Sequence, residues 1–343
     1  MKKKRVMLCV ILLAVAAIIL SAVIVFSLTP VPISLLIRKA FESPSLTRPD
    51  GYNEMESAVI VQKNIAYPSE YGNNEFDIYL PNDAALQENS IPSDNGALRL
   101  PLIIWVHGGA YVGGDKSDAR YFCTALASDG YVVVSMNYAR APEAQYPTPL
   151  FQMQELYAHL LANDVGYPID FTRIFFAGDS AGAHSVAQFA LIQTNLEYAN
   201  QLALTAIVPA DHIRGLLLYC GPYDIKMTGN MESTLFGFFI DQAAWAYFGE
   251  RNWMDAYDRM LTIENHITPN FPPTFITDGN SSSFEQQGKN LAAALKKLSV
   301  PTTTYFIPIE TEKTMHEFQF QMNSTSGKEC YNLTLQFLAE QKK

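Results

Sequence analysis

The pattern of apolar and polar positions divides the chain into an N-terminal apolar segment and a longer alternating part. Residues 6–28 form an unbroken apolar run, in which Ser21 and Ser27 are the only polar side chains. At about 1.5 Å per residue, a helix over this run covers the apolar interior of a bilayer, which is about 30 Å thick. Residues 2–5 are all basic, and the basic flank of a first helix stays in the cytoplasm.

We therefore expect a cytoplasmic basic stub over residues 1–5 and a single-pass transmembrane signal anchor over residues 6–28. This places the protein in the cell membrane, with the lipid bilayer as a partner and the remaining chain on the extracytoplasmic side. A cleaved signal peptide is the alternative, but its apolar segment usually has only about 7–15 residues. A buried core helix is disfavoured because a soluble helix of this length needs a polar face. Residues 29–70 are expected to form a juxtamembrane or lid segment.

After residue 70, apolar strand-like runs alternate with segments of helical periodicity. Strands are predicted at residues 75–80, 102–106, 131–136, 173–177, 215–219, 274–277 and 302–307. Helices are predicted at residues 119–128, 150–162, 181–196, 284–298 and 328–340. Several strands are continuous apolar runs, as in a parallel sheet covered on both faces. The alternation of strands with helices predicts a doubly wound α/β sheet over residues 71–343.

Two segments of this domain lack strand character. Residues 84–99 are polar and predict a surface loop. Residues 225–265 carry Trp245, Trp253 and several other aromatic side chains, and they predict an inserted helical cap.

Composition excludes some classes of protein. The chain has 343 residues, 34 acidic against 24 basic, and its net charge of −10 argues against nucleic acid as a partner. Hydrophobic residues make up 48% of the chain and charged residues 17%, so disorder throughout is excluded. Cys9, Cys123, Cys220 and Cys330 are too few and too scattered for a disulfide scaffold or a zinc site. The sequence leaves open whether two of the last three cysteines form a disulfide.

The strongest chemical signal is the sequence G-D-S-A-G at residues 178–182. It follows a predicted strand and opens a predicted helix, which is the context of a nucleophile elbow centred on Ser180. Glycines on both sides of the serine allow a turn too tight for β-carbons. The backbone N–H of Ala181 then faces the position where an oxyanion would form. An isolated match to this pattern is common by chance, but this strand-and-helix context makes chance the minor alternative.

A second signal, H-G-G-A at residues 107–110, directly follows the predicted strand over residues 102–106. Glycines at this position let backbone N–H groups approach a substrate carbonyl. Gly108 and Gly109 are therefore expected to complete an oxyanion hole with Ala181. His107 itself is expected to be a structural hydrogen-bonding residue.

These two motifs, N-Y-A-R-A-P-E at residues 137–143 and H-E-F at residues 316–318 occur in the order seen in hormone-sensitive-lipase-type α/β hydrolases. The chain resembles this family over roughly residues 75–338. The resemblance implies an α/β-hydrolase fold with a mostly parallel eight-stranded sheet and a helical cap. It also implies carboxylester hydrolysis without a metal or an organic cofactor.

The expected general base is His316, which follows the last predicted strand, in keeping with the chain order serine, acid, histidine. The other histidines lack such a context: His107, His159, His184, His212 and His266. The acid departs from the family pattern, because that pattern places Ser282 at the acid position. Asp278 at the end of the strand, Glu285 in the next helix and Asp224 after the preceding strand are the alternatives. We favour Asp278, because burying an ionisable group at a strand end costs free energy and therefore indicates a function.

Other side chains of these motifs have structural explanations. Asp179 is expected to order the elbow by hydrogen bonds, and Arg140 to pair with Glu143. Four aromatic side chains of the cap either line an acyl pocket or, as is more common for such clusters, belong to the core: Phe236, Phe238, Phe239 and Trp245.

The sequence thus predicts a membrane-anchored serine carboxylesterase or lipase-like hydrolase that forms an acyl-enzyme. Its expected partner is a small-molecule ester with a short- to medium-chain acyl or acetyl group. A catalytically weakened binding or sensor protein is the first alternative, because no carboxylate stands at Ser282. A peptidase or amidase on the same fold is the second.

Overall fold

The computed structural model describes residues 2–42, 46–82, 91–92, 98–163, 166–229 and 234–342. Three helices precede the first strand: α1 (Lys2–Leu28), α2 (Val31–Phe41) and α3 (Tyr52–Ser57). The described side chains of α1 are exposed along its length. The segment Lys3–Leu28 is long and apolar enough to cross a membrane, a test that a signal sequence near the N-terminus also passes.

The strands are β1 (Val59–Ala66), β2 (Glu75–Pro81), β3 (Ile91–Pro92), β4 (Leu98–Val106), β5 (Val132–Met136), β6 (Ile169–Asp179), β7 (Ile213–Tyr219), β8 (Thr274–Asp278) and β9 (Thr302–Phe306). Eight of them form the central sheet in the order β1-β2-β5-β4-β6-β7-β8-β9, and β3 pairs with the start of β4. The pairs of β1 with β2 and of β2 with β5 are antiparallel, and the pairs from β5 to β9 are parallel. The predicted α/β fold with a mostly parallel eight-stranded sheet is confirmed.

The sheet begins before residue 71, where the sequence placed the start of the domain. β1 lies inside the segment that was assigned to a juxtamembrane or lid region, and it pairs with β2 at the edge of the sheet. In this edge strand only Val59 is buried, and Gln62 and Lys63 interrupt the apolar pattern. The run of β-branched residues 59–61 is the signal that could have identified it.

The remaining helices are α4 (Arg120–Ser128), α5 (Thr148–Ala162), α6 (Ala181–Thr194), α7 (Leu196–Gln201), α8 (Ile225–Gly229), α9 (Thr234–Phe248), α10 (Trp253–Leu261), α11 (Glu285–Lys297) and α12 (Thr325–Gln341). Short 3₁₀ turns cover Ala210–His212, Ile263–Asn265 and Phe318–Phe320. Of the predicted loop at 84–99, residues 91–92 form β3 and residues 98–99 begin β4, and the others lie outside the described residues.

Alternate side chains of the central strands enter two separate cores. In β4, Ile104 packs in one cluster with Val186 of α6, and Trp105 packs in another with Phe122 of α4 and Phe337 of α12. Three cysteines, at 123, 220 and 330, are buried free thiols, so the pair left open by the sequence is not formed. The carboxyl ends of the parallel strands meet at one edge of the sheet, which brings together the loops that follow them.

Among the described residues, the helices α8, α9 and α10 lie between β7 and β8, and side chains of all three line a pocket at this edge. α2 packs against α9, and its Ile37 is half-buried against the apolar cluster of the cap. Trp245 is half-buried, whereas Phe238 and Phe239 are exposed and belong to neither core nor pocket. The core placement favoured for these two rings is therefore wrong. The side chain of Phe236 lies outside the described residues.

Candidate active site

Ser180 lies at the tight turn between β6 and α6, with φ 51° and ψ −119°. A positive φ is strained for a residue with a β-carbon, and surrounding structure must hold it in place. Gly178 and Gly182 flank this turn, and neither position has room for a side chain. A Cβ on Gly178 would lie 2.6 Å from the carbonyl carbon of Gly182, and a Cβ on Gly182 would overlap the carbonyl oxygen of Val106.

His316 lies in the loop after β9 and contacts Ser180. Its Nε2 atom is 3.0 Å from Ser180 Oγ. Its Nδ1 atom is 2.6 Å from Ser283 Oγ, and the Ser283 hydroxyl in turn donates to Asp278 Oδ1. A continuous hydrogen-bonded series thus runs from Ser180 through His316 and Ser283 to Asp278.

Asp278 is 1% exposed at the end of β8, and it reaches the histidine only through Ser283 among the hydrogen bonds of the described residues. The other two candidate acids are engaged elsewhere. Glu285 pairs with Lys289 over 2.9 Å, and Asp224 accepts from the backbone N–H of Met227. Sequence reasoning missed Ser283. The three consecutive serines at 281–283, directly after a strand that ends in a carboxylate, were the available signal.

Burial controls the protonation of the two ionisable groups. It raises the pKa of Asp278 to about 7, against the opposing hydrogen bond from Ser283. Asp278 Oδ2 is buried and has no hydrogen-bond partner within the described chain. Burial also lowers the pKa of His316 to about 4, so its imidazole is neutral at pH 7. A neutral imidazole beside a serine hydroxyl is the protonation state that a general base requires.

The loop after β4 holds backbone N–H groups near the elbow, but not those that the sequence selected. The Gly108 N–H donates to Asp179 Oδ2 over 2.7 Å, and Trp105 Nε1 donates to Asp179 Oδ1 over 2.7 Å. This contact occupies the Gly108 donor, which corrects its assignment to an oxyanion hole. None of the hydrogen bonds recorded among the described residues uses the N–H of Gly109, Ala110 or Ala181.

Asp179 also faces a second carboxyl group. Glu317 follows His316 with φ 60°, and its Oε1 atom is 3.7 Å from His316 Nε2. The Glu317 carboxyl lies within hydrogen-bonding reach of Asp179. Burial raises the pKa of Asp179 to about 7 and that of Glu317 well above its ordinary value, so the two groups hold a proton between them near neutral pH.

An apolar pocket adjoins Ser180 and holds about 50 Å³ of space for water-sized groups. Tyr111 forms part of its wall, stacked on Tyr247 at 3.8 Å and hydrogen-bonded to His184 Nδ1 at 2.6 Å. Other lining residues come from the elbow, the cap and the start of α11: Ala181, Ile225, Ile240, Ala243, Trp253 and Phe284.

One cluster in the site contains possible metal ligands. Single ligand atoms of Cys220, Asp278 and His316 lie within 4.8 Å of one another. Burial raises the pKa of the Cys220 thiol well above its ordinary value, and its Sγ accepts the Glu317 N–H at 3.2 Å. Because metal binding requires a thiolate, these surroundings favour a protonated thiol beside Asp278 over a metal site.

Comparison with known proteins agrees with this architecture. A sequence profile of the α/β hydrolase fold matches residues 103–320. An α/β hydrolase of Acanthamoeba polyphaga mimivirus is 22% identical over 270 residues, which are 76% of this chain and 72% of that protein. Esterase LipQ of Mycobacterium tuberculosis is 26% identical over 219 residues, 60% of this chain and 48% of LipQ, so the match spans about half of that relative. The crystal structure of esterase B from Lactobacillus rhamnosis has a TM-score of 0.69 at 18% identity, covering 85% of this chain and 90% of that chain.

A mostly parallel sheet with a strained serine after β6 and a histidine after β9 defines the chain as an α/β hydrolase. It belongs to the α/β-hydrolase fold family, in the group of hormone-sensitive-lipase-like esterases. The resemblance stated from the sequence motifs is thereby confirmed.

Proposed function

We propose that this protein is a serine esterase in which Ser180 is the nucleophile and His316 the general base. The observation that carries the proposal is the 3.0 Å contact between His316 Nε2 and Ser180 Oγ at a strained strand-to-helix turn. The turn holds the serine oxygen at the wall of an apolar pocket. Esterases among its relatives and structural neighbours support the same reaction class.

The reaction divides into acylation and deacylation. In acylation, His316 Nε2 takes the Ser180 proton while Oγ bonds to the ester carbonyl carbon. The N–H groups of Gly109, Ala110 and Ala181 stabilise the oxyanion, and the alcohol leaves with the proton from His316. Water then attacks the acyl-serine with His316 again as base, and the carboxylic acid leaves as Ser180 recovers its proton. One ester and one water give one acid and one alcohol.

Ser283 and Asp278 are positioning residues in this scheme. The Ser283 oxygen accepts the His316 Nδ1–H, and its hydroxyl donates to Asp278, so the imidazole is held in the tautomer that leaves Nε2 free as a base. When His316 becomes positively charged, an ionised Asp278 stabilises it through the intervening hydroxyl. Asp278, the acid favoured from the sequence, would thus act on His316 through Ser283.

The size of the pocket points to a short acyl chain. Its volume, measured as the space open to the centres of water-sized groups, is only about 50 Å³. We therefore favour acetyl to butyryl esters over esters of long acyl chains.

The N-terminal helix supports a membrane location. α1 exposes an apolar surface of bilayer length that the folded domain does not cover, and its basic start favours a cytoplasmic N-terminus. On this proposal, protease added to intact cells removes the hydrolase domain. Protection of the domain from the protease would refute the orientation, and release of a domain without α1 would indicate a cleaved signal sequence.

A fluorophosphonate probe tests the catalytic proposal, because labelling requires an activated serine. We expect wild-type protein and Ser128→Ala, a remote serine on α4, to be labelled and to hydrolyse p-nitrophenyl acetate. Ser180→Ala should lose both properties, with turnover lowered by about 10⁴ or more. An unlabelled wild-type protein would favour the binding or sensor alternative. Faster turnover of an anilide than of the matched ester would favour the amidase alternative.

A further inference from the structure

The link between α1 and α2 limits the distance of the folded domain from the membrane. α1 ends at Leu28 and α2 begins at Val31. Three residues span at most about 10 Å. If α1 crosses the bilayer, as proposed above, α2 therefore begins within about 10 Å of the end of the membrane-spanning helix.

α2 is fastened to the hydrolase domain and is not a free tether. Arg38 donates from Nε to the Val112 carbonyl over 2.7 Å and from a terminal nitrogen to the Ala141 carbonyl over 2.6 Å. Its guanidinium also pairs with the Glu143 carboxylate, over 2.9 Å and 2.5 Å. The ring of Phe41 packs so closely over Gly113 that a Cβ there would lie 2.9 Å from it.

A second contact joins the end of α1 to the cap. A terminal nitrogen of Arg251 donates to the carbonyl oxygen of Ser27, in the last turn of α1. The same guanidinium lies 5.1 Å from the centre of the Trp245 ring. Tryptophan and arginine are typical of the bilayer interface, where one part of the side chain is apolar and the other is hydrated. These contacts hold the cap against the end of α1, which places the cap at the bilayer surface if α1 spans the membrane.

The outer faces of α2 and α9 carry exposed apolar side chains, although the two helices pack against each other. We name this set the apolar rim: Val31 (38% exposed), Leu35 (44%), Leu36 (58%), Phe238 (43%) and Phe239 (37%). The Phe238 and Phe239 rings are neighbours, with their centres 5.8 Å apart, and neighbouring exposed apolar side chains mark an interaction surface. Because α2 follows the anchor so directly, the occupant that fits this surface is the bilayer itself.

The apolar rim also borders the catalytic pocket. Directly after Phe239, α9 provides Ile240, Ala243 and Ala244 to the wall of the pocket beside Ser180. A helix that rests on the bilayer would thus separate the membrane from the nucleophile by its own width.

We propose that the apolar rim lies in the bilayer interface and that the enzyme takes its esters directly from the membrane. The substrate class is a short-chain acyl ester of a lipophilic alcohol, with the acyl group in the small pocket and the alcohol portion towards the lipid. This inference rests on the proposed esterase function and on the proposed anchor. It assigns to α2 and α9 a role in supplying substrate that is separate from the chemistry.

The test uses the full chain reconstituted in phosphatidylcholine vesicles and two acetates. p-Nitrophenyl acetate reaches the site from water, whereas hexadecyl acetate is dissolved in the bilayer. The variant Phe238→Ser/Phe239→Ser should hydrolyse hexadecyl acetate at least about tenfold more slowly, since the transfer of one such ring from apolar surroundings to water already costs about the free energy of a tenfold change. Its turnover of p-nitrophenyl acetate and its melting temperature should stay unchanged. The control Leu196→Ser also replaces an exposed apolar side chain by serine, at a position on α7 that is 75% exposed. It should leave the hydrolysis of both esters unchanged.

The outcomes separate the two proposals. Equal hydrolysis of hexadecyl acetate by wild type and by the double variant, or by Leu36→Ser, overturns the membrane supply of substrate. A folded double variant that loses both esters also overturns it, because the rings would then belong to the catalytic pocket. Wild-type turnover of p-nitrophenyl acetate without turnover of hexadecyl acetate rejects this inference alone. If wild type hydrolyses neither ester, the esterase function itself fails.

Discussion

Ser283 Oγ lies 2.6 Å from His316 Nδ1, so a serine hydroxyl stands between the imidazole and the buried carboxylate of Asp278. This hydroxyl donates to Asp278, and among the hydrogen bonds of the described residues it is the only link between the carboxylate and the histidine. When the family pattern is aligned without gaps, the acid position falls on Ser282, one residue before Ser283. The structure instead leaves Ser282 exposed at φ 50° and brings its neighbour to the histidine.

Removing the hydroxyl should weaken catalysis without weakening substrate binding. In Ser283→Ala, His316 loses the acceptor for its Nδ1–H, and a hydrogen bond to a charged group contributes about 1.5–3 kcal/mol. We expect kcat for p-nitrophenyl acetate to fall by about 10- to 100-fold with KM nearly unchanged. Ser282→Ala is the matched control and should keep its kcat. Full activity in folded Ser283→Ala would show that the histidine is oriented by other contacts.

Asp278→Asn should lower kcat by about 100-fold or more, because the imidazolium loses its stabilising charge. Asp224→Asn and Glu285→Gln are the controls, and both should have mild effects since these carboxylates contact other groups. A thermal melt is needed beside each rate, because a buried amide without partners destabilises the fold. If a folded Asp224→Asn or Glu285→Gln lost activity while Asp278→Asn kept it, the acid would be misassigned.

The pH dependence of kcat/KM should report the ionisation of Asp278. The active form needs an anionic Asp278 and a neutral His316. Burial raises the pKa of Asp278 to about 7 and lowers that of His316 to about 4. Activity should therefore rise as the pH increases through about 7. In Asp278→Asn this step should disappear, leaving a slower enzyme whose rate falls only as the pH approaches about 4. An unchanged step in that variant would assign it to another group.

The carboxyl pair of Asp179 and Glu317 should make stability depend on pH. Burial raises the pKa of Glu317 above its value in the unfolded chain, so the folded protein binds this proton more tightly. That contribution is complete below the unfolded pKa and is lost as the pH rises through the folded pKa. Glu317→Gln keeps a neutral donor beside Asp179. Its melting temperature should exceed that of wild type at about pH 9, and the difference should shrink towards about pH 5. A constant difference would exclude a titrating pair.

The sequence by itself determined the elements whose signals are local. Residues 178–182 dictate a turn because only glycine fits at Gly178 and Gly182, and the apolar runs before them dictate the strands. The position of His316 after the last strand also follows from chain order. The strand β1 was not predicted, because an edge strand is solvated and polar residues interrupt its apolar pattern.

Only the tertiary structure decided which groups meet across long distances in the chain. Glu143 was expected to pair with its neighbour Arg140, but it pairs with Arg38 of α2, and Arg140 donates to the Gly114 carbonyl instead. The Gly108 N–H is taken by Asp179, and Ser283 enters between Asp278 and His316. Local patterns set backbone conformation. Hydrogen-bond partners depend on which loops the parallel sheet brings to one edge. They also depend on the requirement that each polar group buried there has a hydrogen-bond partner.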